Sequence, residues 1–269
     1  LHVRDAFRDR RFVLAILLGN FVLIPLVLWL ALQWLPGDPA LRLGVLLVLL
    51  VPCTDWFITF TQLGRGTPAR AIAVTPLNLL AQLLLLPVYL WLMLPVADFS
   101  AALKTEEMLP AALALIGLPL VAAALSERWV EARTERAIWR ERLGWWPVPL
   151  LAVVVFLIAG AQVGTVLDAG PVLLMVLPVF VGFLLVAALL ARGLTRWLRL
   201  PMDTGRTLAF SFGTRNSFVV LPFALALPAG WDTTVVVIVF QSLVELFGMV
   251  FYLWWLPRHL FREPMKAGA

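Results

Sequence analysis

Long apolar runs, each broken off by a short polar or Gly/Pro-bearing stretch, recur along the whole chain. Eight of them predict membrane-spanning helices at 12–34, 41–63, 71–94, 108–125, 146–167, 171–191, 200–227 and 233–256, since a span needs roughly 20 apolar residues. The connections at 36–39, 168–170 and 229–232 have room only for turns. The runs are continuous rather than alternating, and about twice the length of a membrane strand, which excludes a β-barrel. The pattern therefore predicts an all-α polytopic membrane protein.

Composition agrees. Of 269 residues, 62% are hydrophobic and 14% charged, against about 45–50% and about 25% in soluble domains. A soluble nucleic-acid module, a Rossmann enzyme and a disulfide scaffold are excluded together, and the single cysteine, Cys53, has no internal partner. The net charge of +5 reports topology. Arg4, Arg8, Arg10 and Arg11 precede the first span, and Arg65 and Arg70 follow the second. Arg128, Arg133, Arg136, Arg140 and Arg142 follow the fourth, Arg192, Arg196, Arg199 and Arg206 the sixth, and Arg258, Arg262 and Lys266 the eighth. The opposite loops hold Lys104 and the boundary residue Arg42. By the positive-inside rule, both termini are expected in the cytoplasm, in the plasma (cell inner) membrane. The loop 127–143 interleaves arginines with glutamates and reads as a solvated helix.

Three ionisable side chains fall well inside apolar spans: Asp55, Arg215 and Glu245. Each costs about 2.5–3.5 kcal/mol on insertion scales and needs a partner or a water-filled cavity. The simplest solution pairs Arg215 with Asp55 or Glu245, either as a structural ion pair or within a transport pathway. Asp55 lies in VPCTDWF (51–57), where Pro52 removes a backbone donor. Arg215 lies in SFGTRNSFVVLP (211–222), crowded with Gly213, Thr214, Asn216, Ser217 and Pro222. Two interrupted polar spans at corresponding positions mark a secondary transporter whose broken helices meet near the midplane. The second and seventh spans run in opposite directions, as an inverted five-helix repeat requires. Residues 12–94 then form the last three helices of a first repeat and 108–256 a complete second repeat. The start at Leu1 suggests that two helices of a ten-helix fold are absent here.

The segments VPCTDWF with LGRG (63–66), SFGTRNSFVVLPFAL (211–225) and GNFVLIP (19–25) resemble the bile acid/sodium symporter superfamily, particularly its arsenite-permease (arsenical resistance) branch. The resemblance implies that VPCTDWF and SFGTRNSFVVLPFAL are the two crossing helices. It also implies that Cys53 matches a functional cysteine in a Pro-Cys-Thr motif, and that Asn20 stands where a glutamine often lines the ion site. The positions that help hold sodium in sodium-coupled relatives are Ser211 and Arg215 here, and an expected polar pair is Phe57 and Ile58. Proton rather than sodium coupling is therefore expected.

The leading reading is proton-linked efflux of arsenite or a related small solute by alternating access. Cys53 supplies a soft ligand for trivalent arsenic, and Thr54, Asn216 and Ser217 supply oxygen and amide contacts. Asp55 is the candidate proton carrier with Glu245 as its alternate, and Asn20, Asn78 and Gln241 line the path less directly. An organic-anion transporter with Arg215 as receptor is the second reading, and a membrane receptor or inactive homologue the non-transport one. The two histidines, His2 and His259, lie near the ends, so no His-based metal centre or catalytic triad is expected inside the membrane. No enzyme activity, cofactor, metal or nucleic-acid partner is expected.

Overall fold

The computed structural model describes residues 9–95 and 170–262, with isolated positions between 118 and 160. Apart from those positions, the expected spans 108–125 and 146–167 and the loop 127–143 lie outside the described residues.

Asp9 caps the first helix, α1 (Arg10–Leu18), by accepting the Phe12 N–H at 3.2 Å. One π turn (Gly19–Leu23) then leads into α2 (Ile24–Ala31). Pro25 has no N–H to return to the carbonyl of Phe21, and the hydroxyl of Tyr89 donates to that carbonyl instead. Beyond the turn at 36–38, Asp38 accepts the Leu41 N–H at 2.9 Å and Pro39 opens α3 (Pro39–Leu50). Arg42 bonds back to the carbonyls of Pro36 at 2.8 Å and Leu35 at 3.1 Å, which closes the preceding chain end.

Among the described residues, further α-helices with defined bounds are α4 (Trp56–Leu63), α5 (Pro68–Met93), α6 (Gly170–Trp197), α7 (Met202–Gly213), α8 (Ser217–Leu225) and α9 (Asp232–Trp255). Among the described residues no strand forms, and four segments are long and apolar enough to cross a membrane: Arg10–Trp34, Pro68–Met93, Gly170–Trp197 and Asp232–Leu260. The expected spans 41–63 and 200–227 are each divided, into α3 with α4 and α7 with α8.

Burial follows from this division. From Leu43 to Leu50 every residue of α3 is buried, as suits a helix that is apolar all round. It packs along α9, where Thr234 donates to the carbonyl of Ala40 at 2.8 Å. The outward faces of α5, α6 and α9 expose Leu83, Leu84, Trp91, Leu174 and Phe247, a surface that only lipid or further protein accepts. At the basic end, the turn between α4 and α5 carries Arg65 at φ 59 and presses on α7. A methyl group on Gly64 there would run into the ring of Phe210. Thr67 joins this turn to α7 twice, through its N–H to Thr207 at 2.8 Å and its hydroxyl to Asp203 at 3.0 Å.

Candidate functional site

Two interruptions make the site. Between α3 and α4 the chain leaves the helix over 51–55, where Pro52 withholds the donor that Val48 would need. Between α7 and α8 it does so over 214–216, with Thr214 extended at φ −90 and ψ 138. The two breaks lie antiparallel, with Pro52 opposite Arg215. The Cys53 N–H donates to the carbonyl of Thr214 at 3.2 Å, and the Asn216 N–H to that of Val51 at 2.8 Å. Backbone freed inside a membrane must be satisfied by protein or enclosed water, and here each break satisfies the other. Pro52 sits at a bridge position that calls for no donor, so its missing N–H costs the pair nothing.

The crossing still leaves last-turn carbonyls open at the ends of α3 and α7. Arg215, only 2% exposed, turns its guanidinium onto them. It donates to Leu49 at 3.2 Å, to Phe212, and to the side-chain oxygen of Asn20 at 3.1 Å. The ring of Phe183 lies 5.1 Å from the guanidinium carbon, within cation–π reach. The expected ion pair with Asp55 or Glu245 does not form; among the described residues the one salt bridge joins Arg70 to Asp9 at 2.9 Å. The reason is local. Two helix C-termini carry partial negative charge, and a planar group with five donors matches several carbonyls better than one carboxylate.

Glu245 takes the complementary end. Its Oε2 accepts the backbone N–H of Arg215 at 2.9 Å, just ahead of α8, and the amide of Gln241 at 2.8 Å. Gln241 in turn accepts the Ser217 hydroxyl at 3.0 Å. The buried guanidinium of Arg215 and the half-buried carboxylate of Glu245 are thus each matched to helix ends rather than to one another. Asn216 donates to the Thr54 hydroxyl at 3.3 Å, and Asn20 donates to Ser211 at 3.1 Å. Asn20 reaches the crossing from the π turn, a distortion that often accompanies functional sites.

Of the sequence-predicted residues, the structure brings together Cys53, Thr54, Arg215, Asn216, Ser217, Asn20 and Glu245. Cys53 is buried within the backbone pair. Asp55 differs: it precedes α4 with an exposed side chain that caps no helix and lies against Thr54 rather than Arg215. Gln241, a weaker candidate, is a full member of the network. Phe183 and the carbonyls of Leu49 and Phe212 were missed; an aromatic within an apolar helix and backbone atoms leave no mark in sequence. Among the described residues no cluster of three or more His, Cys, Asp or Glu is placed to hold a metal ion.

Residues 2–169 match a family model described as the Sodium Bile acid symporter family. That range includes Asn20 and the first break and stops short of the second. No curated protein matches the chain.

Proposed function

Because the chain belongs to the sodium bile acid symporter family and is a multi-pass membrane transporter of that superfamily, we propose that it moves a small solute by alternating access, as a proton-linked exporter of arsenite or a related compound. In this reading both termini lie in the cytoplasm and residues 12–94 and 108–256 belong to opposite inverted halves. The observation that carries it is the backbone pair between two interrupted helices, because irregular backbone at membrane depth belongs at substrate and ion sites.

The single cysteine supports the choice of solute. Trivalent arsenic is thiophilic, and Cys53 lies on the crossing itself. An S–As bond forms as one As–OH bond breaks, and the thiol proton leaves with that hydroxyl as water. Glu245 is the better proton carrier than Asp55. Its carboxylate holds the N–H of Arg215, so taking up a proton weakens an acceptor on the second break. The organic-anion reading is weaker, because the guanidinium that would receive an anion already serves Leu49, Phe212 and Asn20.

Transport into proteoliposomes tests this directly. Arsenite flux should follow an imposed pH gradient, ignore a sodium gradient, and lose its pH response in Glu245→Gln. Flux driven by sodium, or taurocholate transport without arsenite transport, contradicts the proposal.

A further inference from the structure

The face that α5 buries is apolar at Ala71, Ala73, Val74 and Leu90 but carries two amides, Asn78 and Gln82, where apolar side chains would suffice. The Thr75 hydroxyl, bonded to Ala71 at 3.0 Å, also lies 3.5 Å from the carbonyl of Thr54 on the first break. Farther along, Tyr89 donates to Phe21 on the π turn. Between these two anchors, Asn78 and Gln82 stand at i and i+4, on one side of the helix. Asn78 is fully buried and Gln82 nearly so. Among the described residues, neither the nitrogen nor the oxygen of the Asn78 amide has a partner, and the side-chain oxygen of Gln82 has none.

Buried amides without partners are rare and unfavourable, because each gives up water and gains nothing. Leucine at either position would avoid that loss. The open atoms comprise an N–H₂ donor and two carbonyl acceptors, and they are uncharged. Arg70 is the one charged residue of α5, and it is tied to Asp9 at the basic end. A guest matched to these atoms is therefore neutral and both accepts and donates hydrogen bonds. It must also be small enough to stand beside the crossing.

We infer that Asn78 and Gln82 form a binding site for a compact, uncharged solute bearing at least two hydroxyl groups, held on α5 next to the first break. The inference rests on the transport reading and narrows it: arsenite at neutral pH is the undissociated acid As(OH)₃, which belongs to this class, as boric acid does. Arsenate and bile acids are charged and do not.

The test uses the full chain, purified in detergent, with arsenite, boric acid, arsenate and taurocholate as separate probes. Arsenite should raise the melting temperature of the parent protein and arsenate should not. Asn78→Leu and Gln82→Leu should melt above the parent without ligand, since each removes an unsatisfied group, and should need at least tenfold more arsenite for half of the ligand-induced rise. Variants that bind arsenite as the parent does place the site elsewhere and overturn this inference while leaving arsenite transport standing. Variants that melt below the parent overturn it too, because the amides then serve the fold. A parent protein shifted by taurocholate and by neither neutral probe removes the transport reading together with this one.

Discussion

Arg206 and Arg215 lie on either side of one helix end, are equally buried, and both direct their guanidinium groups at backbone carbonyls. What they hold differs. Arg206 gathers chain segments at the basic end, reaching Arg65 at 3.0 Å and Phe261 at 2.7 Å. Arg215 closes two helix ends inside the bundle, at Leu49 and Phe212. Arg65, one partner of Arg206, is exposed, so water can replace a lost donor there. At the crossing nothing does, so the same chemistry that secures a loop in one place is a condition for broken helices in the other.

The difference can be measured. Arg215→Met should be the most damaging substitution, costing about 3–5 kcal/mol, because it leaves three buried oxygens without a donor. Arg206→Met should cost about 2 kcal/mol and keep the crossing intact. Equal losses in detergent unfolding would erase the distinction between the two regions. A smaller effect comes from Gly19→Ala. The added methyl meets the ring of Phe212, whose carbonyl holds Arg215, and overpacking there should cost about 1–2 kcal/mol and slow transport. Smallest is Asp9→Asn, which weakens the partly exposed pair with Arg70 by less than about 1 kcal/mol. High salt should erase most of that last effect and leave the Arg215 penalty unchanged, in the same unfolding measurement.

How far the sequence foretold this depends on which atoms carried the information. The breaks were legible at Pro52 and in the run from Gly213 to Ser217, because proline, glycine and small polar residues act on the backbone locally. The partners of Arg215 were not. Matching charge to charge pointed to Asp55 or Glu245, whereas the guanidinium answers carbonyls that every residue possesses and only the three-dimensional path of the chain exposes. Asp55 falls inside an apolar run, but hydropathy reports depth along a span and says nothing about which side of it faces inward. Asn20 was found through resemblance, although Pro25 beyond it already signalled a disturbed helix. Gln82 is inconspicuous beside the leucines at 83–86, since one amide in an apolar run looks incidental until its neighbours are known. The match over residues 2–169 establishes the family. It says nothing of the second break, which lies outside it.

The two breaks touch, backbone to backbone. Since Cys53 is the one native cysteine, Thr214→Cys supplies a single partner for it, facing it across the antiparallel pair at a separation disulfides accept. Mild oxidation of the protein in native membranes, followed by protease digestion and mass spectrometry, should yield a peptide linking positions 53 and 214. A control with Phe247→Cys, on the exposed face of α9, should yield none. Absence of the 53–214 link, under oxidation that modifies both thiols, would contradict the crossing on which the account is built.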